Sequence, residues 1–136
     1  MRLEITRKSD IATRALLELS SDGSRSRASD LAQVLGTTPG FLSHAMLAPV
    51  QRGWVQSVPG PLGGYFATFD PDQVSVLDVI EAVEGPTDTG RCVLESRPCG
   101  EAGRCALHAS WASARADLLT SLSLTPLSRL RSEDRR

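Results

Sequence analysis

The three cysteines of this chain, Cys92, Cys99 and Cys105, and one of its two histidines, His108, all lie in CVLESRPCGEAGRCALH, a stretch broken by proline and glycine. Thiolates are soft metal ligands, nucleophiles and redox groups. An odd number of them gathered in one loop, in a chain expected in a reducing compartment, points away from structural disulfides and toward metal or redox chemistry. Six residues separate Cys92 from Cys99 and five separate Cys99 from Cys105. Structural zinc usually takes its first pair of cysteines from a tighter knuckle, so this spacing lets the loop wrap something larger than a single ion. Three thiolates with one nitrogen or oxygen ligand nevertheless suit zinc as well as an iron-sulfur cluster. His108 stands three residues after Cys105 and is a candidate fourth ligand, its alternative being an exposed histidine that opens a helix.

The elements that must position these groups are punctuated clearly. After RKSD, residues Ile11, Ala15, Leu16 and Leu19 recur at helical spacing until SSDGSRSR ends the helix; Ser9-Asp10 reads as its N-cap with a carboxylate in the first turn. Ser29 caps a short second helix carrying Leu31, Val34 and Leu35, closed by Gly36. Thr38 and Pro39 open a third helix that runs through Phe41, Leu42, Ala45 and Met46 toward Arg52, with Pro49 expected to kink or end it. GWVQSV and YFATF then read as two short strands joined by PGPLGG, which has the composition of a hairpin tip. A helix-turn-helix followed by a hairpin is the winged-helix arrangement, so the expected fold class is mainly α with a small β-hairpin wing.

Beyond the hairpin, Val76, Val79, Ile80 and Val83 form the apolar stripe of an amphipathic helix that Gly85-Pro86 stops. From His108 onward, Trp111, Ala114, Leu118 and Leu122 recur at helical spacing. That last helix looks dispensable for a winged-helix core and is expected to be a long C-terminal dimerisation helix, the alternative being packing on its own subunit. The expected organisation is a DNA-binding winged helix-turn-helix over 1–85, a cysteine-rich loop over 86–106, the dimerisation helix over 107–125 and a disordered tail over 126–136.

Composition sets the remaining bounds. A chain of 136 residues with 40% apolar and 23% charged residues is an ordinary single domain. No apolar run approaches the length of a membrane span, and MRLEITRKSD has no apolar core of a signal peptide, so a cytoplasmic location is expected. The net charge of -1 is uninformative, but its distribution is not. From Leu31 to Phe69 there is no carboxylate, while Arg25, Arg27 and Arg52 lie within or beside that stretch. Such a segment tolerates phosphates nearby, or is simply neutral and buried. No P-loop, nucleophile elbow or Ser/His/Asp constellation is present, and GEAGRC follows no strand, so the chain is not expected to be an enzyme.

Taken in order, MRL, LAQVLGTTPGFLSHAM, GWVQSVPGPLGGYFA, VSVLDVIEAVEG and the three-cysteine loop resemble the winged-helix transcription regulators of the IscR and NsrR type, over nearly all of residues 1–125. The resemblance implies a homodimer that binds a pseudo-palindromic double-stranded operator and holds one iron-sulfur cluster per subunit. Two completions of the site are implied. CALHAS matches the pattern in which His108 joins the cysteines on a 2Fe-2S cluster; SDIATRAL matches the pattern in which Asp10 of the partner subunit completes a 4Fe-4S cluster. The first cysteine spacing has one residue more than is common in the family. On the DNA side the resemblance places Thr38, Gly40, Ser43 and His44 on the recognition helix, with Arg2, Arg7, Lys8 and Arg52 as phosphate contacts. Gly60, Gly63 and Gly64 would offer wing backbone, and Pro59 stands where relatives often carry arginine. The expected function is sensing of redox state, nitric oxide or iron-sulfur status. The alternatives are a zinc-stabilised winged-helix regulator and a metal-free thiol-redox protein that does not bind DNA.

Overall fold

The computed structural model describes residues 1–94, 97–99 and 103–133. Helix α1 (Arg7–Asp22) begins where Thr6 is extended and its hydroxyl accepts the Ser9 N–H at 3.1 Å, and it ends at Gly23 in the left-handed region. The cap is therefore Thr6 rather than Ser9. Asp10 lies within the first turn and Ser9 is buried. Ile11, Ala12, Ala15, Leu16 and Leu19 form the buried face, and α1 is the central helix against which α2 (Ala28–Leu35), α3 (Pro39–Ala45) and α5 (Val76–Glu84) pack.

Helix α2 (Ala28–Leu35) starts just before the expected Ser29 cap. The cause is tertiary: Ser26 exchanges two backbone hydrogen bonds with Tyr65, at 2.9 and 2.8 Å, so the chain leaves that bridge and enters the helix at once. Leu31, Ala32 and Leu35 are buried, whereas Val34, expected on the apolar stripe, faces solvent. Gly36 takes a positive φ of 68° and the Thr37 N–H closes on Ala32 O at 2.9 Å, a helix end that favours glycine.

The third helix of the sequence reading is two pieces, α3 (Pro39–Ala45) and α4 (Leu47–Gln51). Thr38 caps α3 through the Phe41 N–H at 3.2 Å, with Pro39 in the first turn as expected. The break falls at Met46, not at Pro49, because a proline ring lacks the N–H that would bond the carbonyl four residues earlier and also crowds it. The helix therefore opens between Ala45 and Leu47 while Pro49 itself sits buried inside α4.

Strands β1 (Val55–Val58) and β2 (Gly64–Ala67) form the antiparallel wing, in register Val55 with Ala67 through Val58 with Gly64. Gly63 and Gly64 are demanded by the fold: a Cβ at Gly63 would stand 1.9 Å from Val58 O, and one at Gly64 would stand 2.3 Å from Ser26 O. Helix α5 (Val76–Glu84) opens on a Ser75–Asp78 capping box and buries Val76, Val79 and Ile80. The architecture is mainly helical with a two-stranded wing, as the sequence indicates.

Helix α6 (His108–Ser123) packs on α5 yet has no buried residue; Leu118 is half exposed and Leu124, which caps the helix, 73% exposed. The expected disordered tail is corrected. Residues Leu127–Glu133 form α7, whose first residue, Leu127, is wholly buried in the core. The chain re-enters because the Val76 N–H reaches Thr125 O and the Leu127 N–H reaches Val74 O, each at 2.9 Å, and because Arg131 donates to the Ser20 hydroxyl on α1. TPLSRL supplies the apolar pair Leu127 and Leu130, a signal too short to register as a helical stripe. Residues 134–136 of the tail lie outside the described residues. Leu127→Ala is expected to lower stability by about 2–5 kcal/mol in urea denaturation; an unchanged midpoint would return this segment to the status of a tail.

Candidate metal centre and nucleic-acid face

The loop after α5 folds back on itself by backbone hydrogen bonds. The Cys92 N–H donates to Arg97 O at 3.0 Å and the Cys99 N–H donates to Gly90 O at 2.9 Å, which sets Cys92 and Cys99 side by side. The His108 N–H donates to Cys105 O at 3.1 Å, so the third cysteine is held on the first turn of α6. The three sulfurs all lie within 4.8 Å of one another, with Cys92 Sγ 3.5 Å from Cys105 Sγ. His108 Nδ1 is 2.8 Å from Cys99 Sγ. Partial burial, and then the neighbouring Cys92 thiol, push the Cys99 thiol above its ordinary pKa. A bound cation would favour the thiolate of Cys99 against both effects. The donor set thus fits a thiophilic metal group.

The thiols open on a cleft of about 270 Å³ whose far wall is His108, Trp111, Ala112 and Arg115, one face of α6. Arg91 lines the same cleft, and Arg115 is held by Asp88 at 3.5 Å. The sequence reading gave Trp111 to the dimer face and passed over Arg115. Their signal was present as the i+3 and i+7 positions counted from His108, and it was masked because an apolar stripe explains Trp111 equally well.

Asp10 is not part of this site within the chain. Its carboxylate pairs with Arg14 at 3.5 Å and borders an apolar groove of about 550 Å³ with Ile5, Leu17, Val76 and Leu130. A second groove, of about 600 Å³, holds Leu3, Ile5, Ile80, Leu118 and Leu122. Arg2 also lines this groove, between the N-terminal residues and α5 and α6.

Thr38, Gly40, Ser43 and His44 share the exposed side of α3, while Leu42 and Ala45 anchor its other side. Thr38 spends its hydroxyl on the helix cap. Arg7 lies over the Phe41 ring at 5.6 Å and so stands beside α3, and exposed Arg52 stacks on Trp54 at 5.9 Å. At the wing, Gly60 is exposed, but Gly63 is buried and its N–H is used by Gly60 O at 2.9 Å. The Glu84 carboxylate, at the end of α5 and the start of the cysteine loop, accepts from the Ser9 hydroxyl and from the Thr6 N–H, and Arg7 between these residues leans on α3.

An exposed second helix of a helix-turn-helix, a hairpin wing and a three-cysteine loop hung from the helix behind them define a winged-helix transcription regulator. Residues 5–133 match the family model Rrf2, described as an iron-dependent transcriptional regulator, and the chain belongs to that family. It is 31% identical over 111 residues to the HTH-type transcriptional regulator IscR of Cronobacter sakazakii, covering 80% of this chain and 68% of the relative. It is 30% identical, with the same coverage, to IscR of Escherichia coli K12. Among solved structures it is similar to CymR (YrzC), the global cysteine regulator of Bacillus subtilis, with a TM-score of 0.79 at 23% identity over 97% of this chain and 98% of the other. It is also similar in fold to T. potens IscR, with a TM-score of 0.72 at 19% identity over 97% of this chain and 88% of the other. The chain is accordingly a DNA-binding transcription regulator and not an enzyme. Among the described residues no helix is long and apolar enough to cross a membrane.

The junction between the two sites is open to test. Glu84→Ala leaves the buried Ser9 hydroxyl without its acceptor and is expected to lower stability by about 1–3 kcal/mol in urea denaturation.

Proposed function

We propose that the protein is a homodimeric, operator-binding sensor in which Cys92, Cys99 and Cys105 hold an iron-sulfur cluster whose state sets DNA affinity. The observation that carries this reading is the convergence of the three thiols on a cleft roomier than a single ion requires. When bound, the cluster supplies a tether that responds to redox state, nitric oxide or iron-sulfur status. The chain's own residues do the rest. Trp111 limits water at the site, and Arg91 and Arg115 offset the negative charge that thiolates bring. His108, beside Cys99, is the fourth ligand on a 2Fe-2S cluster; Asp10 of the partner subunit is the fourth on a 4Fe-4S cluster. The first is supported by its 2.8 Å contact, the second by the position of Asp10 at the edge of an apolar groove suited to a second copy.

A homodimer is supported by α6, which exposes Leu118 and has no fully buried residue. Thr38, Gly40, Ser43 and His44 read a pseudo-palindromic operator from two half-sites about one helical turn apart, and Arg7, Lys8 and Arg52 meet phosphates. Release of the cysteine loop acts on this spacing through Glu84 and the start of α1. Arg2, beside α5 and α6, belongs to the dimer groove more naturally than to the DNA face.

One observation favours a second reading. Sulfurs within 4.8 Å are close to the roughly 3.8 Å separation that Zn–S bonds impose in a tetrahedral site, so a zinc-stabilised regulator is the alternative. Anaerobically purified protein is expected to be coloured and to contain iron and sulfide, and each of Cys92→Ala, Cys99→Ala and Cys105→Ala to lose both. A colourless protein with stoichiometric zinc would overturn the cluster. His108→Ala and Asp10→Ala, compared by absorption and electron paramagnetic resonance, separate the fourth ligands, since only the true one alters the spectrum.

A further inference from the structure

From Gly53 to Phe69, the whole of the wing and its flanks, there is not one charged side chain. The counterion-release part of phosphate binding comes from lysine and arginine, and the wing supplies neither. The tip instead presents Val58, Pro59, Pro61 and Leu62, all exposed, with Leu62 76% exposed. We propose that the wing tip enters the minor groove as an apolar wedge, with Leu62 as its point. The inference rests on the DNA-binding assignment and adds to it how the wing reads a duplex.

The tip is built to hold that side chain out. Pro59 and Pro61 fix two backbone angles on either side of Gly60. The Gly63 N–H closes on Gly60 O at 2.9 Å, and Gly63 and Gly64 lie so close to Val58 O and Ser26 O that no side chain fits at either position. The wing base is pinned to the start of α2 by the paired Ser26–Tyr65 hydrogen bonds. A rigid apolar tip loses little conformational freedom on insertion, and apolar wedges that part base steps and kink the duplex are an established mode of minor-groove binding. Its surroundings tolerate a duplex. Arg27 and Ser29 line the groove between α2 and the wing, and no carboxylate occurs from Leu31 to Phe69. Readout of this kind depends on how easily a base step deforms and not on hydrogen bonds to base edges.

The test uses the full-length protein and a duplex that the wild type recovers from a random-sequence pool. Affinity is followed by fluorescence anisotropy over a range of salt, and bending by energy transfer between the duplex ends. Leu62→Ala, at an exposed position that leaves the fold intact by circular dichroism, is expected to weaken binding about tenfold. It should reduce the bend and leave the slope of affinity against salt unchanged. Leu62→Met should retain the bend. Unchanged affinity and bend in Leu62→Ala would overturn the wedge and give the tip to a protein partner, while the DNA-binding assignment stands. A wild type that recovers no duplex would remove that assignment and the wedge together.

Discussion

The Glu84 carboxylate joins the two halves of this molecule. It ends α5, from which the cysteine loop departs, and it accepts from the buried Ser9 hydroxyl and the Thr6 N–H at the start of α1. Thr6 is also the cap of α1, and Arg7, the next residue, lies over Phe41 of the recognition helix. The contacts that lead from α5 to the support of α3 therefore run through four consecutive residues of α1 and its cap. An acceptor that carries charge strengthens such a junction, since hydrogen bonds to ionised groups exceed neutral ones.

The thiol site places an opposite demand on the chain. Sulfurs within 4.8 Å of one another suit thiolates gathered around a cation. Burial first, and then the neighbouring Cys92, raise the Cys99 thiol above its ordinary pKa. A loop whose conformation is tied to the occupancy of its ligands is what a sensor requires, provided the loop also contacts elements that touch DNA. Cys105 is held to the first turn of α6 and Cys92 lies a short way after Glu84, so the loop runs from α5 to α6, and α5 reaches through Glu84 to the helix that stands beside α3.

Much of this was legible in the sequence. Gly36, Thr38, Pro39, the Gly-rich wing and the stripe that Gly85-Pro86 stops are local signals, and the elements they delimit form where expected. The failures are tertiary. Thr6 rather than Ser9 caps α1 because Ser9 is drawn inward to Glu84, a partner remote in sequence. Arg27 stands at the start of α2 because Tyr65 fixes Ser26 from across the wing. Helix α7 was hidden because Leu127 is buried by Val74 and α1, and no periodic stripe in so short a segment announces that. At the site, the cysteines were found by residue type, but Arg115 and the Asp88 that holds it emerge only once α6 is laid against the loop.

The central claim is that occupancy of the thiol site is coupled to DNA affinity. The most direct measurement compares one duplex, at fixed salt and without oxygen, with the metal-loaded protein and with the same preparation after the metal is removed. Coupling through the loop and Glu84 predicts dissociation constants that differ by about fivefold or more. Equal affinities for the two forms, with the salt dependence of a DNA-binding protein intact in both, would contradict it.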